Sequence, residues 1–139
     1  MDDNLQSYDL ENVFISKDFS SWKEELSLAS VEMEFCQNLF AATLNDLASI
    51  HKVKYINILD KLSLLIKENT QIKKEFYALA IQFEGYVECQ DLQCDNYYMT
   101  MHLAFRDKVE KHFSVYSKLK KKLLLKINTS IHLRKLHFH

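Results

Sequence analysis

The sequence predicts an all-α fold, an antiparallel three-helix bundle with long coiled-coil-like helices, and three observations carry that prediction. Large apolar residues recur in heptads between Tyr55 and Tyr86. Tyr55, Leu62, Asn69, Phe76 and Phe83 form one register and Ile58, Leu65, Ile72, Leu79 and Tyr86 the other, with Asn69 the polar member. A seven-residue repeat sustained this long is what a helix packed lengthwise against other helices requires. The 139 residues include one Gly and no Pro, so the turn and bulge chemistry of a β-rich fold is missing. Finally, two more apolar stripes of helical spacing flank the central one, each out of phase with it, as helices joined by turns would be.

A chain of this length supports one domain with a real core. It divides into an N-terminal arm (1–20), a helical bundle (21–127) and a C-terminal tail or helix extension (128–139). The arm carries Leu5, Tyr8, Leu10, Val13, Phe14 and Phe19 without a sustained period. Ser21 and Glu24 then have the spacing of a capping box, which predicts a helix start. The stripe that follows is Trp22, Leu26, Ala29, Met33, Cys36, Phe40, Thr43 and Leu47. Cys36 falls inside this seam, where a thiol behaves as a small hydrophobe. Leu28, Val31, Phe35, Leu39 and Ala42 run beside it, so the apolar content exceeds what one partner helix requires.

A one-residue phase slip between the first and second stripes predicts a turn at 49–54, with an uninterrupted rod as the alternative. The second helix is expected over 53–90, about 55 Å long, with Gly85 on its outer face. The polar run 91–96 predicts the second turn, capped by Asp91 or Asp95. The third helix, 96–127, carries Tyr98, His102, Phe105, Val109, His112 or Phe113, Tyr116, Leu119, Leu123 and Ile127. Short connections between long helices give an up-down-up arrangement.

Trp22, Lys23, Glu24, Glu25 and Leu26, together with the run from Phe105 through Arg106, Asp107, Lys108, Val109, Glu110, Lys111, His112, Phe113, Ser114 and Val115 to Tyr116, resemble an uncharacterised family of small helical proteins of Bacteroidetes. The resemblance covers residues 22–127 and implies a coiled-coil-like bundle with no known activity. It implies no site residues.

A net charge of −1 argues against a general nucleic-acid binder, although residues 1–34 hold nine Asp/Glu and two Lys while 111–139 hold eight Lys/Arg and no acid. That asymmetry complements helix dipoles and solvated faces. Lys118, Lys120, Lys121, Lys122 and Lys126 interleave with Leu119 and Leu123, which reads as a core helix with a lysine-rich outer face rather than as a membrane or nucleic-acid surface. No apolar run approaches the roughly 18–20 residues of a membrane span. Three cysteines, Cys36, Cys89 and Cys94, match neither a zinc knuckle nor a disulfide framework. With the acidic start Met1, Asp2, Asp3 unlike a signal peptide, they predict a reducing, cytoplasmic setting.

Glycine-rich phosphate loops, nucleophile elbows and Cys/His pairings are not visible, so no enzyme activity, metal or cofactor is expected. His102 and His112 lie ten residues apart, about 15 Å along one helix, too far to share an ion, and are expected at the core edge with one nitrogen wet. His132, His137 and His139 would make a chelating tail without preset geometry. Glu32 and Glu34, like Asp107 and Glu110, are expected on solvated faces. The leading functional expectation is a non-enzymatic helical interaction or scaffold module that self-associates, with Leu28, Phe35, Leu39, Ile56, Leu59, Leu64 and Ile66 as its partner surface and a second copy, in a homodimer, as the first candidate partner. The alternative is a bundle that binds a small ligand or metal on the face of Tyr98, His102, His112 and Tyr116. Asn69 is expected to be buried and paired, fixing register or assembly, and Asn69→Leu to raise the melting temperature while loosening that choice.

Overall fold

The computed structural model describes residues 2–45, 49–84 and 91–137, with side chains over 15–45, 52–84 and 91–129. Three helices form a bundle: α1 (Asp2–Leu44), α2 (Ser49–Phe83) and α3 (Leu92–His137), with no strand among the described residues. At 1.5 Å per residue they are about 65, 52 and 69 Å long. Asp18 meets His102 and Glu32 meets Tyr116 at the same 84-residue offset, so α1 and α3 run parallel. Glu75 pairs with Lys108, and the Tyr55 hydroxyl donates to the Lys126 carbonyl, which sets α2 antiparallel to α3.

The heptad positions of α2 are buried as their spacing requires: Tyr55, Ile58, Leu62, Leu65, Asn69, Ile72, Phe76, Leu79 and Phe83. Tyr86 lies outside the described residues. All of these side chains except Asn69 belong to two apolar clusters. One joins Met33, Cys36 and Phe40 to Tyr55, Leu62, Tyr116 and Leu123, with the rings of Phe40 and Tyr55 stacked at 4.7 Å. The other joins Trp22 and Leu26 to Ile72, Phe76, Phe105 and Val109.

The helix boundaries differ from expectation. Ser21 does not cap a helix; α1 runs through it from Asp2, and the Ser21 hydroxyl donates to Glu25 Oε1 at 3.2 Å within the helix. The reason is that no Gly or Pro interrupts the chain, while Ile15, Phe19, Trp22 and Leu26 already continue the stripe at four- and three-residue steps. Ile15 is buried, and Phe19 meets Phe76 and Phe83 edge-on. Residues 2–20 are therefore part of α1 rather than a separate arm.

The first break falls between Leu44 and Ser49, ahead of the expected 49–54. Phase detects that a break exists, but residues 49–54 contain nothing to stop a helix from extending back through them. α2 spans Ser49–Phe83, and both its expected end near 90 and Gly85 lie outside the described residues. α3 begins at Leu92 rather than 96 because Asp91 caps it: Asp91 Oδ1 accepts from the Cys94 N–H at 2.6 Å, and the Asp91 carbonyl accepts from the Asp95 N–H at 3.1 Å. The helix also continues past Ile127 to His137, although the His132 and His137 side chains and the whole of His139 lie outside the described residues. Cys36 is a buried free thiol, but Cys94 is disulfide-bonded, which corrects the expectation of unpaired cysteines.

A continuous α1 makes Ser20 a helix-interior position. Ser20→Pro would remove a backbone donor and clash with the preceding turn, and is expected to lower stability by about 3 kcal/mol, read from urea denaturation. A helix starting at Ser21 would tolerate the same change with little loss.

Candidate functional site

Asn69 is 1% exposed and lies between the two apolar clusters. Its Nδ2 donates to the Leu26 carbonyl at 3.1 Å and to Ser30 Oγ at 2.8 Å. A carbonyl can only accept, so the amide orientation is fixed, and Oδ1 receives the Nε2–H of His112 at 2.9 Å. The His112 side chain is fully buried, with Nδ1 3.2 Å from Glu68 Oε1. One backbone carbonyl from α1, one amide from α2 and one imidazole from α3 thus make a single polar layer across the bundle.

A second histidine contact lies nearer the start of α1. The buried His102 meets Asp18 Oδ2 through Nε2 at 2.8 Å, under the rings of Trp22, Phe19 and Phe83 at 5.3, 6.3 and 6.4 Å. Its Nδ1 is buried without a hydrogen-bond partner, a cost of about 1–3 kcal/mol against a bonded nitrogen. Neither histidine sits at the core edge: both rings are buried, each with one nitrogen against an acid, Asp18 for His102 and Glu68 for His112.

Glu32 forms a third polar contact. It accepts from the Tyr116 hydroxyl and from Lys120 Nζ, the latter at 2.7 Å. These two hydrogen bonds, Lys120 first, hold the Glu32 carboxyl below the usual carboxylate range. Burial, reinforced by Glu32, pushes the Tyr116 phenol well above its ordinary value. Burial and the nearby Glu32 charge likewise raise the Cys36 thiol, which keeps it protonated and a poor nucleophile. Glu32 is therefore not the solvated carboxylate its spacing suggested. Glu34, Asp107 and Glu110 are exposed, the latter two in pairs with Lys111 and Arg106 one turn away.

The structure does not gather Tyr98, His102, His112 and Tyr116 into one pocket. Tyr98 packs on Phe83 at 5.1 Å, and the other three meet Asp18, Asn69 and Glu32 at successive levels of the bundle. A cleft of about 320 Å³ between α1 and α2 is lined by Ser30, Met33, Gln37 and Asn69 among others, and an open groove of about 380 Å³ between α2 and α3 by Glu75, Leu79, Met101 and Phe105. None of the four candidates lines either. Among the described residues no group of three His, Cys, Asp or Glu side chains is placed to hold a metal ion, and no helix is long and apolar enough to cross a membrane. No family model, curated protein or solved structure matches the chain.

The expected partner surface divides. Leu28 and Phe35 are each 65% exposed, as is Leu64, and Ile56 and Leu39 are also exposed. Leu59 and Ile66 are instead partly buried against the core, so the seven residues are not one exposed patch. What remains continuous is the outside of α1, where Val31, 67% exposed, joins Leu28, Phe35 and Leu39 at helical spacing. On α3, Leu119 and Leu123 are buried while Lys118, Lys121 and Lys122 point outward with the exposed Leu125.

Sequence reasoning missed Asp18, Glu32 and Glu68. Asp18 carried a signal, since it stands three residues after Ile15 and four before Trp22, on the buried side of α1. Glu32 and Glu68 carried none, because each is recruited by a partner on another helix.

Two predictions follow from these polar contacts. Asn69→Leu leaves the His112 Nε2–H buried and unpaired, so the variant is expected to lose about 1–3 kcal/mol, contrary to the gain expected for an isolated seam amide. Asn69→Leu with His112→Leu should recover most of it in thermal melts, and a more stable single variant would show that the pair is not bonded. For Glu32, a depressed folded-state pKa gives stability present above the ordinary value of 4.5 and lost as pH falls below it. The gap in denaturant midpoint between wild type and Glu32→Gln is expected to narrow from neutral pH to about pH 3, and a constant gap would refute the linkage.

Proposed function

We propose that the chain is a non-enzymatic helical interaction module that self-associates. The observation that carries this reading is the outer face of α1. Leu28, Val31, Phe35 and Leu39 are exposed while the opposite face of the same helix is already packed into the core, so a second apolar seam remains for a helix from outside. Leu28, Phe35 and Ala42 are spaced by seven, the repeat that supports lengthwise helix pairing. Exposed apolar surface of this kind marks interaction sites.

The proposed likeness to small helical proteins of Bacteroidetes agrees with such a module but contributes no partner. Of the two arguments for a cytoplasmic setting, the cysteine spacing and the acidic start, the Cys94 disulfide weakens the first. The ligand-binding alternative gains nothing from the geometry, because its four residues are each engaged at different levels of the bundle.

Phe35→Glu places a charge on the stripe without touching the core. Sedimentation velocity of the full chain is expected to show concentration-dependent assembly of the wild type up to about 100 µM and a monomer for the variant, with unchanged helical content. A wild-type chain that stays monomeric throughout that range would refute self-association.

A further inference from the structure

The self-association reading leaves open which surface receives the α1 stripe, and charge decides it. Every charged residue of α1 from Glu24 onward is an acid: Glu24, Glu25, Glu32 and Glu34. Glu32 is engaged within the bundle by Lys120; Glu24, Glu25 and Glu34 are exposed and make no ion pair among the described residues. Stripe against stripe, centred on Phe35 and antiparallel, would bring Glu34 beside Glu34 of the second copy, and in neither orientation does α1 from Glu24 onward offer a base to pair with its acids. Like charges facing across a helix pair disfavour that pairing.

The outside of α3 has the opposite character. Lys118, Lys121, Lys122 and Leu125 stand at i, i+3, i+4 and i+7 and share one exposed face, Leu125 being 67% exposed. Lys111, Lys118 and Leu125 continue it as a line of heptad spacing, matching that of Leu28, Phe35 and Ala42. Lys118, Lys121 and Lys122 make no ion pair among the described residues. Lysine stems cover apolar side chains while their ammonium groups reach outward, so this face can bury Leu28, Val31 and Phe35 and still meet Glu24, Glu25 and Glu34.

Resting on the self-association reading, we infer that the α1 stripe of one copy docks on the Lys118, Lys121, Lys122 and Leu125 face of α3 of a second copy. Donor and acceptor surfaces are then different, so each added copy offers a further stripe and a further lysine face until a ring closes. Assembly beyond a dimer is expected, weakening as exposed charges are screened by salt.

The test mixes two full-length variants, Phe35→Glu, which lacks the stripe, and the triple variant Lys118→Glu/Lys121→Glu/Lys122→Glu, which lacks the lysine face. Each alone is expected to be monomeric, its self-affinity weakened more than about tenfold. Mixed in equal amounts they should form a one-to-one dimer by sedimentation, since one copy keeps the stripe and the other the lysine face. The corresponding Lys→Ser triple variant serves the same purpose if the Glu version loses helical content. A lysine variant that still assembles alone, or a mixture that forms no one-to-one dimer although the wild type assembles, would overturn the heterologous contact and leave self-association standing. A wild-type chain that never assembles would remove both readings.

Discussion

The bond from His112 Nε2–H to Asn69 Oδ1 is the constraint on which the rest of the bundle depends. It lies where two apolar clusters meet, and its members come from all three helices once the Leu26 carbonyl is included. Apolar seams alone tolerate sliding, because one leucine layer fits another almost as well after a shift. A donor and an acceptor that are both dry do not. Moving α2 by one heptad would put Asn69 at the level of Leu62 or Phe76 and leave His112 facing an aliphatic or aromatic layer, orphaning both groups. The layer therefore penalises misaligned packings more than it stabilises the correct one, which is the role attested for buried amides in helical assemblies.

Two more polar contacts act along the α1–α3 edge. Asp18 to His102 and Glu32 to Tyr116 span α1 and α3 at a common offset, so they reinforce one alignment instead of competing. Each joins a partly exposed carboxylate to a buried group on α3, which lets the carboxylate keep part of its hydration while the ring or phenol is desolvated. The α1–α3 edge is thus fixed by directional contacts, and α2 adds its own through Asn69, Tyr55 and Glu75 to the packing of its heptad residues. Those heptads explain why α2 was the most legible helix in the sequence, and the cross-helix contacts why the acids that hold α3 were not.

Legibility followed the range of the interaction. The heptads of α2, the stripe of α1 from Trp22 to Phe40 and the core line of α3 are properties of one helix at a time, and their burial could be read directly. The seam position of Asn69 was equally readable, but its consequence was not, because the sign of an Asn69→Leu effect depends on His112, a residue on another helix. Helix ends failed for a different reason. The Ser21 and Glu24 pattern caps a helix only if the chain before it leaves helical geometry, and nothing between Asp2 and Ser20 obliges it to. Conversely, Asp91 caps α3 with its own side chain, a local event that could be named in advance even though its exact place could not.

The outer face of α1 closes the physical account. A helix in a three-helix bundle needs one apolar stripe, and Trp22, Leu26, Ala29, Met33, Cys36 and Phe40 supply it. Leu28, Val31 and Phe35 add nothing to that core, and polar residues there would favour solubility of the monomer at no cost to packing. Scattered exposed apolar residues are ordinary in folded proteins, and it is the heptad spacing of Leu28, Phe35 and Ala42 along one helix that supports the proposed self-association. The acids flanking that stripe and the lysine face on α3 differ in charge, and under the proposed docking the chain would match unlike faces on its exterior as it matches donor to acceptor in its interior.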